Sequence, residues 1–416
     1  MRGWKIVSML LVLLFTASMS FAAGFRLPEA GVKAMGMGFA FTAQADDPSA
    51  IYFNPAGLTQ LKGQNVMLGV TYVRENGGEF TGSTLLTGGA TVSETQKDLN
   101  FYIPNAYYTR TTNSGNVAYG IGIFAPFGLG QEYENKNTSI FRNQVTKIDL
   151  MTIVVNPTIA FNINEFLSVG VGIDYMYGKV EYDKIPVFSF GSFKTSLEGS
   201  GDAWGYNFGI LLKATKNLKV GFNYRSPFRL DLKDGDFKAS DNTSVFPFPY
   251  SVALPMGETK ASGTLKLPAT AALGVSYTLD RLTLTADADW TFWSSYKELK
   301  ITNATVGAYT SRSSKDWKDV CALRLGAEVR VTDPLAIRAG LVYDPSPVPA
   351  DTMGPELPDA HRFNYMLGVG YKVANWTIDV AGMYVDKFDR TVSNPQFNGT
   401  WTGNAWLAGL DVAYNF

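Results

Sequence analysis

Cysteine and histidine are almost absent from this chain of 416 residues, which has one of each, Cys321 and His361. A single cysteine excludes an internal disulfide. One histidine leaves no zinc-type cluster. A Ser-His-acid hydrolase needs that histidine beside a serine, and the G-x-S-x-G elbow is missing too, so neither an enzyme nor a cofactor or metal site is expected. Charge of one sign is lacking as well: 36 Lys and Arg against 37 Asp and Glu leave a net charge of −1. Such a balance offers no basic excess to nucleic acid. Beyond the N-terminus there is no continuous apolar run of about twenty residues, so no transmembrane helix is expected. Length alone would allow two or three soluble domains, yet no Pro/Ser-rich linker or charge run divides the chain.

What is present begins with an export signal. Arg2 and Lys5 precede an apolar core at 6–17, and Ser20, Phe21 and Ala22 supply a small-residue cleavage site. Residues 1–22 therefore read as a signal peptide, the apolar core being short for a helix that must cross roughly 30 Å. At the other end, Trp406, Ala408, Leu410, Val412, Tyr414 and Phe416 share one face of a period-two pattern. Ala405, Gly409, Asp411 and Asn415 fall mostly on the other. A strand with lipid outside and water inside needs that pattern, and a soluble sandwich strand can show it too.

Recurrence favours the membrane. Leu167, Val169, Val171, Ile173, Tyr175 and Tyr177 oppose Ser168, Gly170, Gly172, Asp174 and Gly178. Leu273, Val275, Tyr277 and Leu279 oppose Thr270, Gly274, Ser276 and Thr278, and Trp376, Ile378, Val380 and Tyr384 oppose Thr377, Asp379 and Ala381. Small and polar residues suit a lumen, and aromatic ends suit interface girdles. Short turns are expected at 111–116, 162–165, 215–217, 280–281, 332–334 and 374–375. Long loops are expected near 75–98, 129–148, 183–200, 232–265, 299–316, 346–361 and 390–402. Alternating short and long connections predict an all-β fold over 63–416: a transmembrane antiparallel β-barrel of about fourteen strands. On that reading Cys321 faces lipid and His361 lies in a loop. Pro126 breaks the well-alternating segment 119–128, either ending a strand at a loop or opening a gap in the wall.

Residues 23–62 do not alternate. They are apolar and glycine-rich, with Gly31, Gly36 and Gly38, and then Asp46-Asp47-Pro48 and Asn54-Pro55-Ala56-Gly57. Ahead of a barrel, such a segment suits a lumenal plug. Asn-Pro-Ala-Gly is a turn sequence in which proline presses Asn54 toward extended geometry. The Asn54 side chain can then hold plug to wall by hydrogen bonds.

Several segments, in order, resemble the FadL/TodX family of Gram-negative outer-membrane transporters over nearly the whole mature chain. Asn54-Pro55-Ala56-Gly57 after Ala45-Asp46-Asp47 is similar to its hatch motif. Phe124-Ala125-Pro126-Phe127-Gly128-Leu129 is similar to its third-strand segment. The stretch 290–299, beginning Trp290-Thr291-Phe292-Trp293, resembles its mid-barrel tryptophan motif. Arg338-Ala339-Gly340, Tyr343-Asp344-Pro345-Ser346-Pro347 and Leu357-Pro358-Asp359-Ala360-His361-Arg362 resemble its late-barrel segment. The resemblance implies a monomeric barrel with an N-terminal hatch, integral to the outer membrane and surrounded by its lipid and lipopolysaccharide. It implies inward passage of hydrophobic small molecules, long-chain fatty acids first and aromatic or aliphatic hydrocarbons as the alternative. It further implies lateral exit at a kinked third strand, around Phe124, Pro126, Phe127 and Gly128.

The residues supply matching chemistry. Two expected extracellular loops are rich in apolar side chains: Phe188 and Phe190 in one, Phe246, Phe248, Tyr250 and Leu254 in the other. Exposed apolar clusters mark binding or membrane surfaces, although these loops could instead pack together and cap the barrel. A ligand carboxylate would want an inward cation in a dry pocket. By alternation Arg225, Arg324, Arg338 and Lys372 point inward, where they either meet ligand or pair with lumenal acids such as Glu328, Asp379 and Asp287. A general porin would need neither plug nor phenylalanine-rich loops; an adhesin would need no transport path.

Overall fold

A computed structural model describes residues 24–188, 191–241, 257–303 and 310–416. The signal segment 1–22, Phe190, Phe246, Phe248, Tyr250 and Leu254 lie outside them.

Among the described residues, fourteen antiparallel strands form one closed sheet. The first runs Gln64–Thr84, and the second is Val92–Thr95 continued by Leu99–Thr111. The third is split into Val117–Phe124 and Gly128–Glu132. Lys147–Asn162, Leu167–Lys184 and Gly191–Lys213 are the fourth to sixth. The seventh is Leu218–Arg225 with Phe228–Asp241, the eighth Gly257–Leu267 with Thr270–Leu279, and the ninth Leu282–Thr291 with Glu298–Asn303. The tenth is Thr310–Ser314 with Val320–Arg330; Leu335–Asp344 and Arg362–Val373 follow. Trp376–Lys387, extended by Arg390–Ser393, and Phe397–Asn415 complete the wall. Closure comes from the last strand pairing with the first, from Asn65 opposite Asn415 to Thr84 opposite Phe397. That pairing leaves neither terminal strand with a free edge, and in lipid every backbone group must be bonded within the protein.

The packing is inside out. Trp406, Leu410, Leu367, Ile173 and Leu323 are exposed, while Arg324, Arg338, Asp174, Asp289 and Asp411 are buried in the lumen. Apolar side chains face outward because lipid surrounds the wall. Aromatic rings gather at both ends of the belt, with Tyr384 against Trp406 at one and Trp376 against Tyr414 at the other. Cys321 stands opposite Trp290 on this outer face.

All six expected short turns fall between successive strands; Asp280 and Ala374, at φ 47° and 51°, make the two tightest. Most of the expected long loops are shorter than the sequence suggests, whereas that at 346–361 stands as expected between Asp344 and Arg362. The first strand runs on to Thr84, and the seventh and eighth pair as far as Ala239 opposite Gly257. Above the membrane, ladder bonds still satisfy the backbone, but nothing there demands an apolar outer face. The alternation therefore stops where lipid stops, and pairing does not.

Residues 24–61 are almost wholly buried inside the barrel. They form short helices at Val32–Gly36 and Ala50–Phe53 and a tight turn at Pro55–Gln60. Wall glycines make room for this backbone. A Cβ at Gly340 would sit 2.1 Å from the Gly38 nitrogen, and one at Gly209 would sit 2.0 Å from Asn54 Oδ1.

Candidate functional site

An apolar cavity lies in the lumen above the plug. Leu129, Ile148, Leu150, Val180, Tyr182, Leu197, Leu232, Leu265, Leu299 and Ile301 wall it, and Phe25 and Tyr296 also line it. Alternation along the third to ninth strands supplies these side chains, because every second residue points inward. Phe25 is held by edge contacts to Trp293 and Tyr296, with ring centroids 4.6 Å and 5.6 Å away, and by Trp317 at 5.4 Å. The tryptophan motif is thus divided: Trp290 faces lipid, whereas Trp293 and Tyr296 grip Phe25.

The same segment bonds to the broken strand. Pairing between the second and third strands ends at Ala106 opposite Ile123. It resumes at the single bridge of Gln96 with Tyr133, where the Lys97 amide donates to the Glu132 carbonyl at 2.8 Å. Between these points the wall ladder is open. Here the Leu27 amide donates to the Pro126 carbonyl at 2.8 Å, and the Gly128 amide to the Phe25 carbonyl at 2.9 Å. Arg26 and Phe127 stand opposite each other as an isolated antiparallel bridge. Thr152 Oγ1 takes the Phe127 amide at 3.1 Å and donates to its carbonyl at 2.6 Å. Proline brings no N–H to a ladder, so Pro126 leaves no donor stranded at the break.

Asn54 is fully buried and joins plug to wall. Its side-chain amide donates to the Thr42 carbonyl at 2.8 Å and to the Ile210 carbonyl on the sixth strand at 3.0 Å, while Oδ1 accepts the Ala56 amide. Pro55 opens the turn that follows, and Ala56 and Gly57 pack within it.

The lumenal cations do not line the apolar cavity. Arg225 pairs with Asp174 and lies over the rings of Tyr52 and Phe124. Arg324 binds Asp289 at 2.8 Å, and the other side of Asp289 takes Arg26 at 2.6 Å. Asp287 stands opposite Arg324 across the ladder but turns to the Thr42 amide, at 2.8 Å. Arg338 bridges Glu328 at 2.6 Å and Asp379 at 2.5 Å. Arg225 and Arg324 also reach the plug carbonyls of Tyr52 and Phe39, at 3.4 Å and 3.3 Å, whereas both partners of Arg338 lie in the wall; Glu328 and Asp379 pair as expected and Asp287 does not. Lys372 is exposed beside the short turn to Trp376 and does not line the apolar cavity. Its inward parity places it at the barrel mouth, because it lies one residue from the strand end.

Four residues escaped sequence reasoning. Phe25 and Glu29 sit where alternation is silent. Asp289 is the diagonal rather than the direct partner of Arg324, and rotamers decide between such neighbours. Lys184 ends the fifth strand on the inner parity of Val180 and Tyr182. Burial pushes its pKa down, and it forms no ion pair with a carboxylate among the described residues. Of the expected capture residues, Phe188 lies in the small Val187–Phe188 hairpin pairing with Ser192 and Gly191. His361 sits in the loop before the twelfth strand, where Nδ1 accepts the Ser346 amide at 3.1 Å. The neighbouring Asp359 takes Arg362 at 3.0 Å, Ser346 Oγ at 2.7 Å and the Gly24 amide at 3.2 Å, anchoring the start of the plug.

Comparison with known proteins agrees with this architecture. Residues 13–416 match the family model described as outer membrane protein transport protein (OMPP1/FadL/TodX). A long-chain fatty acid transport protein of Escherichia coli O6:H1 is 27% identical, the match covering 96% of each chain. The crystal structure of a Pseudomonas aeruginosa FadL homologue superposes with a TM-score of 0.84 at 22% identity, covering 95% of this chain and all of that one. The Pseudomonas putida toluene transporter TodX superposes with a TM-score of 0.73 at 16% identity, with 95% and 100% covered. This plugged outer-membrane β-barrel belongs to the OMPP1/FadL/TodX family of Gram-negative outer-membrane transport proteins.

Proposed function

We propose that this chain takes up long-chain fatty acids, which bind in the apolar cavity and leave sideways through the gap between the second and third strands. The observation that carries this reading is the double role of Phe25. Its ring lines the cavity and its carbonyl bonds to Gly128 at the gap. An alkyl chain entering the cavity gains about 0.8 kcal/mol per buried methylene. A chain that displaces the Phe25 ring draws on that gain to break the two backbone bonds beside Pro126. The plug need not leave the barrel: freeing residues 25–27 suffices to uncover the gap.

Lys184 supplies the counter-ion. A carboxylate in a dry site needs a charged partner, or its desolvation cancels the apolar gain. Arg225, Arg324 and Arg338 already have carboxylate partners in Asp174, Asp289, Glu328 and Asp379, Asp289 being shared with Arg26. Lys184 is a half-buried lysine on the cavity's inner parity, one pleat beyond Tyr182. The name of the Escherichia coli relative points the same way. One observation favours hydrocarbons as a second reading: the cavity lining itself contains no basic residue.

Binding of a fluorescent long-chain fatty acid to detergent-solubilised protein, with toluene as competitor, separates the two. Fatty-acid uptake predicts saturable binding that weakens about tenfold in Lys184→Met and resists toluene. Displacement by toluene with no effect of Lys184→Met would assign hydrocarbons instead. Absence of saturable binding by either would overturn the transport reading of this cavity.

A further inference from the structure

On the outer surface, away from the lumen, the seventh, eighth and ninth strands break at one level. The breaks fall at Ser226 and Pro227, at Pro268 and Ala269, and between Thr291 and Glu298. Just below them the ladder aligns Tyr224, Ala271 and Trp290 on the lipid-facing side. Just above, the outward residues change character. Arg229 stands opposite Lys266, Thr264 opposite Lys300, and Lys233 and Lys297 flank them. These cations line a concave shelf of about 570 Å³ together with two acids, Asp231 and Glu298. Five positive and two negative groups leave three positive charges in excess.

The acids are already engaged. Asp231 accepts from Arg229 Nε at 3.1 Å and from Thr264 Oγ1 at 2.7 Å, and Glu298 pairs with Arg312 at 3.8 Å. Lys233, Lys266, Lys297 and Lys300 are exposed and pair with no carboxylate among the described residues. Like charges held on one concave surface repel one another unless an anion joins them. Arg229 lies five positions beyond Tyr224. At about 3.3 Å per residue and the usual strand tilt, the shelf stands roughly 12 Å beyond the aromatic belt. That is headgroup height, and the lysine stems can lean along the wall toward it.

We infer that this shelf binds the phosphate groups of a phosphorylated glycolipid of the outer leaflet, whose acyl chains lie on the apolar wall around Tyr224, Leu273 and Trp290. Phosphate oxygens accept several charge-assisted bonds from lysine at once. The proposal concerns the outer wall and is independent of what the lumen carries.

The test uses the full-length protein in detergent micelles, with diphosphoryl lipid A as the probe and native mass spectrometry as the readout. Wild-type protein is expected to retain diphosphoryl lipid A, and to retain it less well as ionic strength rises. The variant K233Q/K266Q/K297Q/K300Q is expected to bind it at least tenfold more weakly. The matching Lys→Arg variant is expected to bind as wild type, which separates charge from shape. Near-ultraviolet circular dichroism of each variant checks that the barrel has folded. Equal retention of fully dephosphorylated lipid A, or undiminished binding by the folded Lys→Gln variant, would overturn the proposal. Complete displacement of the lipid by millimolar inorganic phosphate would also overturn it, making the shelf a free-anion site.

Discussion

The Phe25 carbonyl accepts the Gly128 amide at 2.9 Å, so the cavity floor and the broken third strand share one hydrogen bond. With the Leu27–Pro126 bond it brackets Arg26 and Phe127, which face each other as a pair without mutual hydrogen bonds. Such pairs bring Cα atoms to about 4.5 Å, close enough for a disulfide. Arg26→Cys with Phe127→Cys, in a Cys321→Ser background, should therefore cross-link plug to wall on oxidation. Uptake of labelled fatty acid by whole cells is expected to fall at least tenfold in the oxidised form and to recover on reduction. Full uptake by the cross-linked form would show that residues 25–27 need not move. Comparing the two redox states of one variant cancels the lost contact of Arg26 with Asp289.

Asn54 predicts the behaviour of the plug. Removing its amide leaves the buried Thr42 carbonyl without that donor and takes the plug's bond from the Ile210 carbonyl, which stays in the wall ladder. A buried group left unsatisfied costs about 1–3 kcal/mol. Asn54→Ala is expected to speed hydrogen exchange across residues 42–60 while the strands keep their protection. Gly209→Ala should do the same from the wall side, since its new Cβ meets Asn54 Oδ1 at 2.0 Å. Unchanged exchange in both variants would remove Asn54 from the latch.

How much of this was legible in the sequence follows from what alternation encodes. Wherever one face meets lipid, period two is enforced, so the turn at Asp280 and the outward placement of Cys321 could be read directly. Above the belt that pressure ends, and the continuation of the first strand to Thr84 left no mark. Parity also found that Arg324 and Arg338 face inward. Parity cannot say what a long side chain reaches once a plug fills the lumen. Arg324 reaches diagonally to Asp289, and Lys372 runs out of wall. Phe25 was illegible for a different reason: it belongs to a non-periodic segment whose partners lie far away in sequence, at Gly128 and Trp293.

Glu29 should make the plug sensitive to pH. Its carboxyl is buried in the plug, with Oε2 unpartnered, and burial pushes its pKa up to about 8 despite Arg324 and Arg362; Asp344 adds to the rise. A carboxyl raised in the folded state keeps its proton at neutral pH. Stability is then greatest below the unfolded value, about 4.3, and declines as pH rises toward 8. Plug resistance to added protease is expected to be higher at pH 5 than at pH 8.5, judged against a control substrate at each pH. Glu29→Gln carries no titrating group and should reduce that difference without abolishing it, because burial also pushes the plug carboxyl of Asp47 up to about 6. A slope unchanged by Glu29→Gln would assign it to another group.

Arg338 offers the sharpest separation between holding the plug and binding ligand. It is buried between Glu328 and Asp379, with Lys33 of the plug 3.8 Å from the same Glu328. Taking one partner from a buried ion network costs about 3–5 kcal/mol, because the remaining charges are left uncompensated. Arg338→Ala is therefore expected to lower resistance to denaturant strongly, with Glu328 and Asp379 repelling across the vacated site. Fatty-acid affinity, measured on the fraction that remains folded, should stay within about twofold of wild type, because Arg338 does not line the cavity. A large loss of affinity with unchanged stability would reverse the assignment and return Arg338 to the ligand's carboxylate. Paired with Lys184→Met, where affinity should fall and stability hold, the two variants form a double dissociation that a purely structural role for both residues could not produce.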